Sequence, residues 1–497
     1  MRKREKERGV KNKVKKRRII LKIILFVLII YLVVLFYNVL KPLPEGTSVE
    51  GTIYNIADED IDFLYDLNYL ENNNSQIIEQ EIFNNVFYMI DNAQRLIVID
   101  VFLFNSDYSS KGRLINLTRI MKDKLIEKKK TNPNIEIYFT TDEINNFYGS
   151  YTSEEILELQ ENNITVIITD LTKLRDSNPT YSAFWRIFLM PLGTYGEGSL
   201  RHPLGREDKE VTLRAYLKLI NTKANHRKII VADNGNEIWS IITSANPHEA
   251  SSLHSNIAFL IKKDIWKDLI ESEKGIAKFS GTKINEINTN FAIYNENSQE
   301  KDISVQLLTE GKIRDNLIRD IDSTVEGESI NIAMFYLSDR KIIDSIKKAS
   351  ERGVEIRLIL DPNKDAFARE KNGIPNRQVA LELIEDSNNQ ISVRWYNTQG
   401  EQFHTKLIII KKKDKIIVYG GSANLTKRNV GNLNLETDVK ITSQYNKDIA
   451  IEIIAYFENL WENKNGKYTL DFDSYKDEST SKYWIYRFQE FSGFSSF

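Results

Sequence analysis

The sequence carries two copies of one short motif, and matching positions of the two copies are separated by one constant offset. The first copy begins at His226 and the second at His404, and a lysine follows each histidine two positions later. The other repeated positions are Lys228 and Lys406, Ser244 and Ser422, Asn246 and Asn424, and Asn256 and Asn434. So many chemically similar positions at one offset indicate an internal duplication. The chain is therefore expected to fold as two related halves that build one site together.

Each half alternates helical patterns with apolar runs of the kind that buried strands show. In the first half we predict helices at residues 77–93, 114–128 and 153–160, and strands at residues 96–104, 135–139 and 165–168. In the second half we predict helices at residues 313–323, 341–352 and 377–386, and strands at residues 330–336, 355–360 and 391–395. Such alternation predicts an α/β fold of sheets covered by helices. The boundary between the halves is expected around residues 285–302.

The N-terminus joins a basic run to an apolar run. Residues 1–22 contain twelve Lys or Arg against two Glu, and residues 19–40 are almost entirely apolar. A hydrocarbon core about 30 Å thick requires about 20 helical residues, so residues 19–40 are predicted to span a membrane once. No small-residue cleavage site follows, which argues against a removed signal peptide. The positive charge predicts a cytoplasmic N-terminus and extracytoplasmic lobes.

These patterns divide the chain into five predicted segments. They are a basic cytoplasmic tail (1–18), a transmembrane anchor (19–40), a linker (41–55), a first lobe (56–290) and a second lobe (300–497). The first lobe contains an insertion, residues 174–222, that the second lobe lacks. Its aromatic stretch at residues 181–190 has two interpretations. It could form an acyl-chain groove or contact the bilayer, or it could pack in the ordinary way under a long loop.

The repeated residues are suited to phosphoryl chemistry. A histidine and a lysine two apart on a strand project from the same face. Lysine and amide donors neutralise phosphoryl oxygens as charge develops, and histidine attacks phosphorus or transfers a proton near neutral pH. No metal-ligand spacing is present, so we predict no metal and no cofactor. His248 and His254, which flank the first asparagine, are interpreted as surface polar residues, with the entrance of the site as the alternative.

The paired motifs, HxKxxxxD followed by Ser-x-Asn, resemble the signature of the phospholipase D superfamily over roughly residues 75–465. The resemblance implies two duplicated α/β sandwich lobes with the active site between them. It also implies a phosphohistidine intermediate without a required metal. Two positions depart from the pattern. Asp233 fits the first motif, but Lys411 stands at the matching position of the second, and Ala258 matches the acidic Glu436.

The resemblance implies a role for each repeated residue. Glu436 is expected to reach across to the other half and orient His226, as the carboxylate of a catalytic triad does. His226 is then the nucleophile, and His404, which lacks such a carboxylate, is the general acid and later the base. The expected phosphate-holding residues are Lys228, Lys406, Asn246, Asn424, Ser244 and Ser422. Asp233 is expected to support the catalytic group.

Three functions remain open at this point. Nucleic-acid binding draws on a basic footprint. The whole chain has a net charge of −2 and residues 1–22 contribute +10, so residues 41–497 carry −12. This charge and the anchor favour a phospholipid substrate, with transfer of a phosphatidyl group to water or to an alcohol as in cardiolipin synthases. An extracytoplasmic, membrane-tethered nuclease is the second hypothesis. The third is an inactive lipid-binding homologue, suggested by Lys411 and Ala258.

Overall fold

A computed structural model describes residues 2–106, 114–203, 209–287, 291–292, 301–366, 369–388 and 390–495. Much of the predicted boundary at residues 285–302 lies outside the described residues. The helices are α1 (Arg2–Leu40), α2 (Ile82–Asn92), α3 (Leu117–Thr131), α4 (Glu154–Glu161), α5 (Pro179–Phe184), α6 (Leu213–Leu219), α7 (Ile265–Phe279), α8 (Gly311–Asp322), α9 (Arg340–Glu351), α10 (Asn376–Asp386), α11 (Lys427–Val430), α12 (Asp448–Glu462) and α13 (Thr480–Ser492).

The strands of the first half are β1 (Glu50–Ile56), β2 (Ile61–Leu70), β3 (Gln76–Glu79), β4 (Leu96–Val101), β5 (Glu136–Thr141), β6 (Thr165–Ile168), β7 (Leu200–Arg201), β8 (Glu210–Val211), β9 (Lys228–Asn234), β10 (Glu237–Thr243) and β11 (Asn256–Ile261). Those of the second half are β12 (Ile303–Thr309), β13 (Ser329–Met334), β14 (Glu355–Leu360), β15 (Asp365–Ala366), β16 (Arg369–Glu370), β17 (Ile391–Tyr396), β18 (Lys406–Lys411), β19 (Lys415–Gly421), β20 (Thr437–Gln444) and β21 (Thr469–Asp471).

Two large sheets repeat the same strand order. Within the described ranges, the first sheet runs β3-β2-β11-β10-β9-β4-β5-β6, and the second runs β1-β12-β20-β19-β18-β13-β14-β17-β21. In each sheet three strands pair in parallel, β4-β5-β6 and β13-β14-β17. The strand that carries each His-x-Lys motif pairs antiparallel with the first of these three. The duplication in the sequence is therefore a duplication of the fold.

The two sheets pack face to face and share a core. Apolar side chains from both inner faces form one buried cluster. At Gly420 the sheets approach so closely that a Cβ would lie 2.7 Å from a ring carbon of Phe259 and 2.9 Å from a methyl of Ile257. Helices α2, α3 and α4 cover the outside of the first sheet, and α8, α9 and α10 cover the outside of the second. This layering confirms the predicted α/β fold class.

Two local predictions were wrong. Residues 50–56, expected mostly in a linker, form β1, which pairs antiparallel with β12 at the edge of the second lobe's sheet. Residues 77–79, expected in a helix, belong to β3, which pairs with β2. Both are edge strands, whose pairing depends on partners outside the local pattern. That pattern therefore carries little information about them.

The N-terminal apolar run is helical throughout. Helix α1 includes a segment, Lys11–Leu40, that is long and apolar enough to cross a membrane, and its most apolar stretch is not buried in the protein. Its C-terminal part contacts the first lobe. The side chain of Tyr31 donates a hydrogen bond to the carbonyl of Thr180, and the carbonyl of Asn38 accepts one from the amide of Asp176.

Candidate active site

The two histidines meet between the lobes. His226 lies two positions before the first residue of β9, Lys228, and His404 lies two positions before the first residue of β18, Lys406; these strands occupy equivalent positions in the two sheets. The ring centroids of the histidines are 6.4 Å apart, with the ring planes at 71°. Both side chains are almost fully buried. One phosphate group fits between two rings at this distance.

Each histidine lies against the other lobe because backbone groups of the two lobes form hydrogen bonds with each other beside it. The amide of His226 donates to the carbonyl of Leu435 at 2.9 Å, and the amide of Ser255 donates to the carbonyl of Gln402 at 3.1 Å. Two isolated parallel bridges, Asn225 with Leu435 and Ser255 with Phe403, belong to the same exchange. The residues that enter β11 and β20 are thereby placed beside the histidine of the opposite lobe.

Glu436 is the residue that the second lobe places on His226. Its carboxylate oxygens lie 2.9 and 3.0 Å from Nδ1 of His226. Ser422 and Asn429 donate further hydrogen bonds to the same carboxylate. Since a carboxylate accepts, this network places the proton of His226 on Nδ1 and leaves the lone pair on Nε2. Burial raises the pKa of Glu436 to about 7, although Lys228 opposes that shift.

Asn256 is the corresponding partner of His404. Its Oδ1 lies 3.1 Å from Nδ1 of His404 and accepts a second hydrogen bond, at 3.0 Å, from Ser244. His404 was expected to lack a carboxylate partner, and its Nδ1 indeed faces an amide, which comes from two residues before Ala258. The two imidazoles thus have similar hydrogen-bond geometry. The group that faces Nδ1 is a carboxylate for His226 and an uncharged amide for His404.

The two motif lysines lie beside the histidines. Each Nζ donates to the carbonyl of its own histidine at 2.7 Å, from Lys228 to His226 and from Lys406 to His404. Burial lowers the pKa of Lys228 to about 7 and holds the pKa of Lys406 well below its ordinary value, with repulsion from Lys228 adding to the second shift. The charged forms of these two lysines are disfavoured by burial and by mutual repulsion, and a bound anion would stabilise them.

Phe102 and Phe335 hold the two histidine–lysine pairs in matching positions. The ring of Phe102 lies 4.9 Å from that of His226, and the ring of Phe335 lies 5.0 Å from that of His404. Each lysine Nζ is also 5.3 Å from the centroid of the phenylalanine in its own lobe. The aromatic rings therefore limit the space that each imidazole and ammonium group can occupy.

The two motif asparagines follow β10 and β19, and the motif serines hold other side chains. The Oδ1 of Asn246 accepts from the amide of Leu103 at 3.2 Å, so its nitrogen end can donate to a substrate. In the described part of the chain, the buried Oδ1 of Asn424 has no hydrogen-bond partner. The hydroxyls of Ser244 and Ser422 donate to Asn256 and Glu436. The serines, which were expected to bind phosphate, thus hold the side chains that contact the histidines.

Comparison with known proteins agrees with this geometry. The family described as "Cardiolipin synthase, PLD-like domain" matches residues 317–461. This match covers the second lobe's His-x-Lys motif and indicates a phospholipase D-like domain there. The crystal structure of phosphatidylserine synthase from Haemophilus influenzae Rd KW20 is similar over 89% of this chain and 96% of that chain, with a TM-score of 0.56 and 12% identity. No curated protein sequence matches.

Two further solved structures match with lower scores. Polyphosphate kinase from Porphyromonas gingivalis is 12% identical, with a TM-score of 0.44 over 88% of this chain and 53% of that chain. The phospholipase D family member Nuc from Salmonella typhimurium is 20% identical, with a TM-score of 0.25 over 34% of this chain and 98% of that chain. The fold assignment rests on the phosphatidylserine synthase structure and on the family match.

Asp233, the aspartate of the first superfamily motif, lies at the end of β9 away from the histidines. Its carboxylate accepts backbone hydrogen bonds from Gln94, Arg95 and Leu96, the two shortest at 2.8 Å. It therefore fixes the turn from α2 into β4. It was expected to support the catalytic group, and the structure does not bring it there. Lys411, at the matching position, lies 2.9 Å from Glu458. Lys411 is the last residue of β18, five positions after Lys406.

Sequence reasoning missed a second repeated pair of acids. Asp142 directly follows β5 and accepts from the amide of Asn225 at 2.6 Å; Asp361 directly follows β14 and accepts from the amide of Phe403 at 2.8 Å. Each therefore fixes the residue before one of the two site histidines. Burial raises the pKa of Asp142 to about 7 and that of Asp361 to about 6. The spacing between these two acids is wider than the motif offset, because the insertion lengthens only the first lobe, and the offset cannot reveal them.

His248 and His254 are buried, so their interpretation as surface residues was wrong. The ring centroid of His254 lies 5.7 Å from that of His404. Burial lowers the pKa of His254 to about 3, which keeps the ring neutral. Among the residues that the structure describes, no three His, Asp or Glu side chains are arranged to hold a metal ion.

Proposed function

We propose that this protein is a membrane-anchored, phospholipase D-like enzyme that transfers the phosphatidyl group of a phospholipid to water or to an alcohol. The observation that carries the proposal is the pair of facing imidazoles with unlike partners, a carboxylate on His226 and an amide on His404, between two buried lysines. This arrangement supplies one nucleophile, one proton donor and a cationic phosphate site, which are the parts that phosphodiester exchange requires.

In the first step, Nε2 of His226 attacks phosphorus and the bond from phosphorus to the headgroup oxygen breaks. A proton on Nε2 of His404 passes to that oxygen, so the headgroup leaves as a neutral alcohol. The phosphorylated ring of His226 carries positive charge, which the Glu436 carboxylate stabilises through the Nδ1 proton. Lys228 and Lys406 neutralise the charge that develops on the phosphoryl oxygens.

In the second step, His404 is neutral and accepts the proton of an incoming hydroxyl group. The oxygen of that group attacks phosphorus, the bond to Nε2 of His226 breaks, and the starting state returns. Water as acceptor gives phosphatidic acid. A second phospholipid with a free headgroup hydroxyl, such as phosphatidylglycerol, gives a cardiolipin.

The proton on His404 depends on the substrate. Burial and the nearby Lys406 hold the pKa of His404 well below its ordinary value, so the ring is neutral in the protein alone. A phosphodiester anion between the lysines offsets their charge and raises that pKa. The acid form of His404 is therefore favoured when substrate is bound, and the neutral form is favoured after the headgroup leaves.

Several observations support a phospholipid substrate. The family match is to a cardiolipin synthase-type domain, and the similar solved structure is a phosphatidylserine synthase. Residues 41–497 carry a net charge of −12, which disfavours a nucleic-acid substrate. The inactive-homologue hypothesis loses its basis, because Lys411 lies outside the site and Asn256 supplies the contact that Ala258 does not.

Product analysis tests the proposal. We would reconstitute the full-length protein in vesicles of phosphatidylglycerol and phosphatidylethanolamine and separate the lipid products. We expect phosphatidic acid or cardiolipin, and we expect neither from the His226→Ala variant. Absence of both products from the unaltered protein, with cleavage of a single-stranded oligonucleotide, would overturn the phospholipid assignment in favour of the nuclease.

The intermediate is tested separately. In a His404→Ala variant the leaving headgroup has no proton donor, so a substrate with a good leaving group, such as a nitrophenyl phosphodiester lipid, is required. We expect the phosphoenzyme to accumulate, because the same variant also lacks the base for the second step. Peptide mass spectrometry should find the phosphatidyl group on His226.

A further inference from the structure

The chain at the start of the insertion, residues 174–222, runs alongside the C-terminal part of α1. At the end of α1, Lys41 Nζ donates to the carbonyl of Thr172, and the Asn38 carbonyl accepts from the amide of Asp176. Further along the helix, Tyr31 donates to the carbonyl of Thr180. Tyr31 lies nine residues before Leu40, which is about 13 Å at a rise of 1.5 Å per residue.

The depth of α1 in a membrane is constrained by its length. Residues 19–40 form an apolar run of about 33 Å at the helical rise, and the hydrocarbon core is about 30 Å thick. The run is scarcely longer than the core, so Leu40 must lie near one boundary. Thr180, which contacts Tyr31, must then lie inside the adjacent leaflet.

The chemistry of the insertion fits that depth. Between residues 178 and 195 the only charged residue is Arg186. Its guanidinium is paired with Asp176 at 2.8 Å and is largely buried. The large exposed side chains of this stretch are apolar or aromatic, and they are Phe184, Phe188, Met190, Leu192 and Tyr195. A charged group inside a bilayer is tolerated when it is paired, and exposed aromatic and aliphatic groups are favourable there.

A second apolar surface adjoins the insertion. Helix α13 exposes Trp484, Phe488 and Phe491, and Phe491 is 82% exposed. The helix is followed by Gly493, which packs so closely on Ser177 that a Cβ would overlap the carbonyl oxygen of Ser177. Ser177 follows the residue that contacts Asn38, so this end of α13 lies near the level where α1 leaves the membrane.

Both surfaces are joined to the candidate active site. Apolar side chains of the insertion, Leu174, Val211 and Ala215, pack in one cluster with Leu435 of the second lobe, the residue before Glu436. At α13, Lys427 donates to the carbonyl of Phe491 at 3.3 Å, and Lys427 lies three residues after Asn424. The depth at which the insertion and α13 lie in a membrane therefore determines how far the candidate active site lies from the membrane surface.

We propose that residues 179–192 and the Trp484–Phe488–Phe491 surface of α13 are immersed in the lipid leaflet at the C-terminal end of α1, as a membrane contact additional to the spanning helix. The proposal rests on the spanning role of α1 in the proposed function. Its partner is the acyl-chain region of one leaflet, which α1 already occupies. The function of the contact is to hold the site at a fixed distance from its lipid substrate.

The chain contains no cysteine, so single-cysteine variants of the full-length protein can be labelled at one position each. We would place an environment-sensitive fluorophore at Phe188→Cys, Met190→Cys and Phe491→Cys in vesicles of phosphatidylglycerol and phosphatidylethanolamine. Lipids with a quencher on the acyl chain and iodide in the buffer would report the surroundings of each label. Leu28→Cys in α1 and Val325→Cys, an exposed apolar residue of the second lobe, are the controls.

We expect blue-shifted emission and strong quenching by the acyl-chain quencher for the labels at Phe188, Met190, Phe491 and Leu28. For the label at Val325 we expect quenching by iodide alone. Lipid quenching at Leu28 without quenching at the three test positions would overturn the immersion while leaving the anchor intact. No lipid quenching at Leu28 would refute the anchor, and the immersion with it. Labels shielded from both quenchers would indicate a contact between protein chains instead, which also overturns the proposal.

Discussion

The Glu436→Gln variant tests the division of roles between the two histidines. The substitution preserves size and a hydrogen-bond acceptor for His226 Nδ1 and removes the negative charge. If His226 becomes phosphorylated, its ring carries a positive charge that Glu436 stabilises and glutamine does not. The loss should then appear in kcat, because the phosphate is bound by other groups, chiefly Lys228 and Lys406.

The size of the effect follows from the contact distance. Nδ1 of His226 and Oε1 of Glu436 are 2.9 Å apart. The centres of the two delocalised charges are then about 4 Å apart, and at an effective dielectric constant of about 20 their attraction is about 4 kcal/mol. A barrier that rises by about 4 kcal/mol lowers the rate about a thousandfold. We therefore expect kcat to fall by about three orders of magnitude and KM to change little.

The assay is the release of product from phosphatidylglycerol vesicles, with thermal unfolding as the check on folding. Asn256→Asp is the matched control, since it adds a carboxylate to His404 at the equivalent contact without a change in size. It should affect kcat much less than Glu436→Gln if His226 is the nucleophile. Equal losses in the two variants, or a larger loss in Asn256→Asp, would refute the assignment. A phosphoryl group trapped on His404 would do the same.

Three further predictions concern groups around the site. The profile of kcat/KM against pH should be a narrow bell centred near pH 7. It should fall at lower pH because Glu436, with a pKa raised to about 7, becomes protonated, and at higher pH because Lys228, with a pKa lowered to about 7, loses its charge. A profile that is flat from pH 6 to 8 would contradict this prediction. Asp233→Ala should lower the free energy of unfolding by about 3 kcal/mol, because it leaves buried amides without a partner, and denaturant titration should show this loss with kcat of the folded protein unchanged. Lys411→Met should cost less than about 1 kcal/mol of stability and leave kcat unaltered, and a large loss of activity would restore the inactive-homologue hypothesis.

Much of the fold could be predicted because local and global patterns agree. Buried parallel strands such as β4 and β14 are continuous apolar runs, and the helices between them show clear periodicity. The constant offset between the two motif copies then predicts that β9 and β18 occupy equivalent positions. Strand β1 could not be predicted in the same way, because its partner β12 belongs to the second half of the chain and nothing local specifies the pairing.

The site was predictable where it repeats at the motif offset and, at Glu436, where the superfamily resemblance implied the contact with His226. His226, His404 and the two lysines share that offset, and the structure brings them together. Asn256 also repeats, as Asn434, but its contact with His404 depends on how the lobes exchange backbone contacts. Asp233 matches the motif, but it lies at the end of β9 that is far from the histidines, so the motif match did not predict its contacts. A motif specifies where a residue lies along its strand. The pairing of strands in the sheet determines which side chains surround that residue.

In the proposed mechanism, the difference between Glu436 and Asn256 explains how a duplicated site performs an unsymmetrical reaction. Duplication gives each lobe an imidazole, an ammonium group and a positioning serine in matching places. The reaction needs one imidazole that bears a positive charge through the intermediate and another that releases and then accepts a proton. A carboxylate on His226 favours the first behaviour, and an amide on His404 supports the second because it adds no charge that would retain the proton. A carboxylate on both histidines would hold both protons more tightly, so replacement of one carboxylate by an amide is an expected consequence of dividing the two roles.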